Sequence, residues 1–287
     1  MGYWEQFPTF ILNGIASGMI YFLIAIGLTM IFGMMGVINF AHGALYAVGA
    51  YMAYTATSLI GNFWISLIAA PVVLFGIGVA EFSLLRRLQG VDPVYQLLLT
   101  FGLALIIQEV TIFIWGTVGK PLSIPPIFRG IIDFGPFTYP KYRLFLIGFT
   151  AVVAWVIWSG IMKTRLGAMI RAGTEDNEMV SCVGINISRL FTLVFALGAS
   201  MAGIAGVMAA PIVGVEPFMG MNILIISFVV VVVGGLGSYG GAILGGLLIG
   251  IIQSIFILLF PAAAAVVVYA FMAIILIVKP QGLLGRI

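Results

Sequence analysis

The residues of this sequence that could bind or relay a solute stand within long apolar runs. Asn39 and the only histidine, His42, lie in the glycine-rich stretch GMMGVINFAHG, while Gln108, Glu109 and Gln253 interrupt later runs. Inside a membrane such polar groups are costly and often functional, so these five residues are candidates for the lining of a solute path. For each of them a structural role, as a neutral hydrogen-bonded group that ties helices together, stays open. Glu109 is expected to be the only acid well inside a span.

Motifs for catalysis, nucleotide binding or metal binding are weak or missing. The stretch GGLGSYGG contains GxGxxG, but no Asp or Glu follows Glu216, so the acidic residue of a dinucleotide site is lacking. A phosphate-binding GxxxxGKS or GxxxxGKT is absent. Ser238 and His42 could serve an intramembrane protease as nucleophile and base, but Ser238 lies in a glycine break typical of helix packing. Cys182 is the only cysteine and His42 the only histidine, so a Cys-rich or His-based metal site is not expected. From these motifs together we expect no catalytic residue, no metal site and no ATP site in this chain.

The composition is that of a membrane protein. Hydrophobic residues make up 63% of the chain and charged residues only 7%, whereas soluble proteins carry about 25% charged residues because water must wet their surface. Most of the surface is therefore expected to face lipid. The net charge of +3 is not concentrated in a basic cluster, so nucleic acid is not an expected partner.

Uncharged runs are long enough to cross a bilayer, which takes about 20 residues. We count eight or nine spans, depending on whether Pro261 separates the last two. They are predicted at residues 9–32, 41–60, 64–85, 95–115, 144–162, 190–213, 222–233, 242–260 and 262–278.

Two glycine-rich stretches, residues 33–43 and 234–241, interrupt this apolar pattern. Broken helices at membrane depth occur only where protein or a water-filled cavity satisfies the freed backbone groups. The sequence therefore predicts an all-α integral membrane protein, a polytopic bundle whose helices break at these stretches. Residues 1–287 are predicted to form one domain.

The two longest polar segments are predicted to lie on opposite sides of the membrane. Residues 116–142 are too proline-rich for one helix and are expected to form an ordered extracytoplasmic loop, whereas residues 163–189 are expected in the cytoplasm. This arrangement puts the N-terminus outside and the C-terminus in the cytoplasm. Of the twelve Lys and Arg residues it places eight in the cytoplasm: Arg86, Arg87, Lys163, Arg165, Arg171, Arg189, Lys279 and Arg286.

A short helix of about two turns is predicted within the cytoplasmic segment. Thr174 is the expected N-cap, and Glu175, Asp176 and Glu178 suit the positive end of the helix dipole. Gly184 is expected to end the helix. It could be a solvent-exposed loop helix without a partner or a docking element for a cytosolic protein.

The stretch GLTMIFGMMGVINFAHGALYAVGAY, residues 27–51, resembles the hallmark of the branched-chain amino acid ABC-transporter permeases, the LivH-type subunit. Four more blocks resemble the pattern of that family in the same order, so the resemblance extends over nearly the whole chain. They are residues 97–116, 164–208, 232–250 and 279–285.

This resemblance implies an importer subunit of a bacterial or archaeal plasma membrane, which is the inner membrane where there are two. The implied partners are a second permease of similar fold, an extracytoplasmic substrate-binding protein and two cytosolic ATPases, which hold the ATP and magnesium. The segment Thr174–Gly184 would then be the coupling helix that fits a groove of an ATPase.

The implied cargo is a branched-chain amino acid or a related small amino acid, amide or carboxylate. Related sugar permeases carry an Asp-containing sequence where this chain reads GVINFAHG, and urea-type relatives place an acid where this chain has Ala44. Both differences favour amino acid import. The alternative is a self-sufficient secondary transporter or channel for a small polar solute.

Overall fold

The computed structural model describes residues 3–135 and 137–285. Arg286, which was counted among the cytoplasmic basic residues, therefore lies outside the described residues. In chain order the elements are α1 (Tyr3–Met35), α2 (Ala41–Leu59), α3 (Trp64–Leu85), α4 (Pro93–Trp115), β1 (Ile131–Asp133), β2 (Thr138–Pro140), α5 (Lys141–Lys163), α6 (Arg165–Glu175), α7 (Asn177–Cys182), α8 (Ile187–Val213), α9 (Met219–Gly234), α10 (Tyr239–Leu259) and α11 (Ala264–Val278).

The predicted class, a polytopic helical bundle, is confirmed. In the described part of the chain seven helices are long and apolar enough to cross a membrane, namely α1, α3, α4, α5, α8, α10 and α11. The shorter apolar helix α9 has 16 residues, and α2 is 19 residues long but rich in Ala, Gly, Tyr and Thr. Both helices pack inside the bundle. Two of the eight or nine predicted spans are therefore helices that contact mainly protein: α9 is short, and α2 is rich in small and polar residues.

Helices α1 and α8 form the centre, and α4, α5 and α11 lie at the outside with large apolar side chains exposed. Glycines allow α1 to approach α10 closely. A Cβ atom added at Gly18 would lie 2.6 Å from Gly246 O, and one added at Gly14 would lie 2.6 Å from Ile251 Cα. Such close backbone contact increases the dispersion attraction between the helices. In a bilayer this attraction is needed, because the hydrophobic effect does not favour association of two helices that are both surrounded by lipid.

Each glycine-rich stretch connects two consecutive helices. The backbone turns at Gly36 between α1 and α2, and at Gly235 and Gly237 between α9 and α10, all with positive φ. The two connections meet, because a Cβ atom at Gly33 would lie 3.0 Å from Gly237 Cα. The first connection returns into the bundle, because His42 at the start of α2 is fully buried and bonds to Ile24 O, eleven residues before the end of α1. The predicted break of the helices at these stretches is therefore confirmed.

The bundle has two distinct ends. One, the loop face, consists of residues 116–140 and 214–218; two backbone hydrogen bonds between Lys120 and Val215, of 2.8 and 3.0 Å, join its two segments. The antiparallel strands β1 and β2 form a hairpin there, in which Ile132 pairs with Tyr139. The other end, the linker face, consists of residues 164–186 with α6 and α7.

Candidate functional site

A cavity of about 280 Å³ lies between the middle of α1, the first half of α2 and of α9, the start of α5 and the end of α8. We call it the loop-face cavity, because Gly214 and Glu216 of the loop face line it. Its wall is mainly apolar, with Ile20, Ile223 and Ile226 among the contributors, and it also contains the charged residues Arg143 and Glu216. The Arg143 guanidinium donates to Asn13 Oδ1 rather than to Glu216. A largely apolar wall with few polar groups is typical of small-molecule sites.

Gln253, one of the five predicted path residues, lies next to this cavity. The hydroxyl of Tyr21, which lines the cavity, donates to Gln253 Oε1 at 2.6 Å. Tyr21 was not predicted, and neither were Arg143 and Glu216 as site residues. Tyr21 and Gln253 are 232 positions apart, so only the packing of α1 on α10 brings them together.

Asn39 and His42 are fully buried at the start of α2. Asn39 Oδ1 accepts from the Ala41 amide at 2.9 Å, and His42 Nε2 donates to Ile24 O at 3.0 Å. Both bonds hold the start of α2 in place, the second by fixing α2 to α1. Neither residue lines the loop-face cavity, and their part in transport stays a prediction.

The expectation that Glu109 is the only acid well inside a span is wrong. Glu81 lies within α3 and is 4% exposed, whereas Glu109 is exposed on the surface of α4. Neither carboxyl oxygen of Glu81 has a hydrogen-bond partner among the residues that the structure describes. Ala70 and Leu74 lie on the same buried face of α3 as Glu81. The signal in the sequence was Glu81 itself, which lies inside the span predicted at residues 64–85.

Gln108 lines a narrow cleft of about 20 Å³ between α2, α4 and α9, together with Phe40 and Leu224. Next to it, Glu109 points away from the bundle of this chain. The two residues therefore lie on α4 where the chain would meet lipid or another subunit. Their predicted contact with solute stays a prediction.

The linker face contains two helices where the sequence predicted one. Thr174 is not an N-cap: it lies in the last turn of α6, and its hydroxyl donates to Arg171 O at 2.7 Å. The N-cap of α7 is Asp176, whose Oδ1 accepts from the Met179 amide at 2.9 Å. The reason is that α6 continues through Thr174, so the chain first becomes extended at Asp176, with φ −155° and ψ 102°.

The end of α7 agrees with the prediction. Gly184 follows the helix with φ +86°, and its amide donates to Ser181 O at 3.0 Å. Glycine suits this conformation because it has no Cβ atom. With six residues, α7 has the predicted length of about two turns.

Helix α7 is attached directly to the end of α1. Asn177 Nδ2 donates to Met34 O at 3.1 Å, and a Cβ atom at Gly173 of α6 would lie 2.7 Å from Met34 Cε. The opposite side of α7 faces outward: Glu178 is exposed, as are 66% of Met179 and 77% of Val183. The linker thus combines a fixed contact with the bundle and an exposed acidic and apolar surface.

Outside the membrane-spanning helices, the pKa of Tyr139 is shifted near the start of α5. Burial raises the pKa of Tyr139 on β2 above its ordinary value, and the positive charge of Arg143 opposes part of that rise. At the linker face Cys182 is a free, exposed thiol. Among residues 3–135 and 137–285 no group of three or more His, Cys, Asp and Glu side chains could hold a metal ion.

Seven helices able to cross a membrane, an ordered loop face and a helical linker define a multi-pass helical membrane protein. Residues 10–278 match the protein family described as branched-chain amino acid transport system / permease component. The chain belongs to this family, and the resemblance noted in the sequence is thereby confirmed.

Curated relatives are similar over nearly their full length. The high-affinity branched-chain amino acid transport system permease protein BraD of Pseudomonas aeruginosa is 31% identical, over 96% of this chain and 95% of the relative. The corresponding LivH of Escherichia coli K12 is 32% identical, over 98% of this chain and 97% of the relative. Both relatives are named as permeases, which are transport proteins rather than enzymes.

One solved structure shares the fold. The structure described as PsaBC from Streptococcus pneumoniae in complex with Fab is similar with a TM-score of 0.53, over 97% of this chain and 96% of the other. At 13% sequence identity this similarity concerns the arrangement of the helices alone.

Proposed function

We propose that this chain is the membrane-spanning permease subunit of an ABC importer, as a single domain over residues 1–287. It forms part of the translocation path for branched-chain amino acids or a related small amino acid, amide or carboxylate. The observation that carries the proposal is the family match over residues 10–278. Separate cytosolic ATPases bind ATP and magnesium, because this chain lacks a phosphate-binding GxxxxGKS or GxxxxGKT sequence.

The linker face lies in the cytoplasm of the bacterial or archaeal cell, and the loop face lies outside. The excess of Lys and Arg on the linker side supports this orientation, which leaves the N-terminus outside and the C-terminus inside. The substrate-binding protein docks on the loop face, and the ATPases dock on the linker face. A second permease of similar fold completes the path, and the remaining outer surface faces lipid.

Helix α1 is the element that carries movement from one face to the other. Its Met34 carbonyl is bonded to α7, and its residues Ile20 and Tyr21 line the loop-face cavity. Tyr21 and Met34 are thirteen residues apart, or about 20 Å along the helix axis. When the ATPases close on ATP, they displace the coupling segment Thr174–Gly184, and α1 transmits the displacement to the cavity.

The residues at the end of α6 and in α7 have defined parts in this coupling. Thr174 and Glu175 lie at the end of α6, Asp176 caps α7, and Glu178 is on its exposed side. Gly184 ends this segment, and the chain then continues to α8. A groove of an ATPase would receive this segment through its acidic and apolar surface.

The five path residues have two kinds of part in the proposed cycle. Asn39 and His42 hold the start of α2 against α1, and Gln253 orients Tyr21 at the cavity. Gln108 and Glu109 lie on α4, where they face the gap between the two permeases. Specificity comes mainly from the binding protein, because a path with tight wall contacts would release its solute slowly.

The test is uptake of radiolabelled leucine by proteoliposomes that contain the whole assembly. We expect uptake only when the second permease, the ATPases, the binding protein and ATP with magnesium are all present. Proteoliposomes that contain this chain alone are the matched control. Uphill or facilitated leucine movement by the chain alone, without nucleotide, would contradict the proposal and favour a secondary transporter or channel.

A further inference from the structure

We propose that the loop-face cavity is a binding site for a zwitterionic amino acid within this subunit. In it, Arg143 binds the carboxylate, Glu216 binds the ammonium group, and the isoleucine wall receives an aliphatic side chain. This inference rests on the proposed function and names the site at which the cargo, once released by the binding protein, first contacts the permease.

The two charged residues of the cavity are the first observation that supports this proposal. Arg143 and Glu216 line the same cavity in a chain of which only 7% is charged. A zwitterionic amino acid presents the two complementary charges on groups attached to the same carbon atom. Arg143 uses one nitrogen on Asn13, and a guanidinium has five N–H donors in a fork that fits a carboxylate.

Glu216 is held in place by the loop face. Val215, the preceding residue, is joined to Lys120 by two backbone hydrogen bonds, and a Cβ atom at Gly119 would lie 3.3 Å from Glu216 Cγ. The backbone next to Glu216 is thus fixed at the cavity by the same segments that would receive the binding protein. A solute that leaves that protein would meet this charge at the entrance.

The size and wall of the cavity favour a small aliphatic solute. A volume of about 280 Å³ is just below the range of about 300–1,000 Å³ usual for ligand pockets. Ile20, Ile212, Ile223 and Ile226 contribute apolar surface, and the gain from covering it grows with the apolar area of the side chain that is bound. A sugar would leave its hydroxyl groups without partners on this wall.

Between the charges and the isoleucines lie neutral polar groups that orient the solute. Asn222 and Ser17 line the cavity, and their side chains can both donate and accept hydrogen bonds. The Tyr21 hydroxyl donates to Gln253, so its oxygen can still accept a hydrogen bond from an ammonium group. The site would bind weakly, as a path requires, because a solute must also leave it.

The experiment combines two variants with three ligands. The purified assembly without binding protein or nucleotide is dialysed against labelled leucine, leucinamide, which lacks the carboxylate, and 4-methylpentanoate, which lacks the ammonium group. We expect the wild type to bind leucine at least tenfold better than either analogue. Arg143→Gln should abolish the preference over leucinamide only, and Glu216→Gln should abolish the preference over 4-methylpentanoate only.

Matched controls separate the site from general effects of charge. Lys141→Gln and Asp133→Asn remove exposed charges of the same sign from the loop face outside the cavity, and we expect both preferences to persist. Arg143→Lys, which keeps the charge, should retain part of the preference over leucinamide. Binding-protein-stimulated ATP hydrolysis in each variant verifies that the assembly is intact.

The outcomes distinguish this site from the proposed function. If the assembly imports leucine but the wild type shows no preference, or both variants keep it, the site is wrong and the proposed function stands. If the wild-type assembly with all components present imports none of leucine, leucinamide and 4-methylpentanoate, the proposed function fails and the site fails with it.

Discussion

Asn177 is the side chain through which α7 holds the end of α1. Its donor satisfies the Met34 carbonyl, which lies in the last turn of α1, where carbonyls lack partners within the helix. One such bond contributes about 1 kcal/mol, or a factor of about five in an equilibrium. We therefore expect Asn177→Ala to lower the leucine imported per ATP hydrolysed about fivefold in reconstituted proteoliposomes.

Thr192→Val is the control for this prediction, because Thr192 lies outside the coupling segment and its hydroxyl donates to Ser188 O within its own helix, α8. Its ratio of leucine to ATP should stay at the wild-type value. An unchanged ratio in Asn177→Ala would mean that movement reaches α1 by another contact.

The N-terminus of α7 allows a second test with single residues. Removing an N-cap costs about 1 kcal/mol, so Asp176→Ala should speed hydrogen exchange of the α7 amides about fivefold. Thr174→Val should leave that exchange unchanged, since Thr174 lies inside α6. Faster exchange in Thr174→Val than in Asp176→Ala would restore Thr174 as the cap.

Capping shows why single site residues are hard to predict here. Thr and Asp are both good N-caps, and the choice between Thr174 and Asp176 depends on where α6 ends, which charges alone do not reveal. Tyr21 and Gln253 have no local signal, since the contact arises from packing of distant helices. The sequence identified candidate residues where a polar group interrupts an apolar run. It did not identify Arg143 and Glu216, because charged residues are ordinary where a span ends.

Helices were easier to predict than residues. The third span was predicted at 64–85, and α3 runs from Trp64 to Leu85, because an apolar run bounded by polar or turn residues has one length that fits a bilayer. The split of the linker into α6 and α7 was missed. Charged Arg165 and Arg171 hid the helical character of α6, which depends on the Thr164 cap and on contact with α5.

The contact between α1 and α10 depends on the absence of side chains. A Cβ atom at Gly18 would lie 2.6 Å from Gly246 O, so Gly18→Ala must push the helices apart and should cost about 1–3 kcal/mol. The measurement is the thermal unfolding of the purified chain in detergent, which should shift to lower temperature.

Gly76 of α3 provides the matched substitution, because a Cβ atom there meets nothing within 4 Å. Gly76→Ala should leave the unfolding temperature unchanged or raise it, since Ala favours a helix over Gly by up to about 1 kcal/mol. Equal destabilisation by both substitutions would show that helix propensity, and not close packing, decides the outcome.

On the scale of the whole molecule, the two faces have different features. The loop face holds the charged cavity, the linker face holds the exposed surface of α7, and α1 contacts both. Since α1 is a central and largely buried helix, its displacement must also move its neighbours. In the proposed cycle, this geometry would let the loop face respond to an event at the linker face.

The orientation of the molecule can be tested with its single cysteine. Cys182 is exposed at the linker face, so in cells that express the chain without its ATPases a membrane-impermeant maleimide should label it only after the membrane is opened. A second variant, Cys182→Ser with Ser123→Cys, moves the thiol to an exposed position of the loop face. This variant should be labelled in intact cells, because the loop face is then outside, and labelling with the opposite preference in the two proteins would invert the topology and place the cavity at the cytoplasmic end of the path.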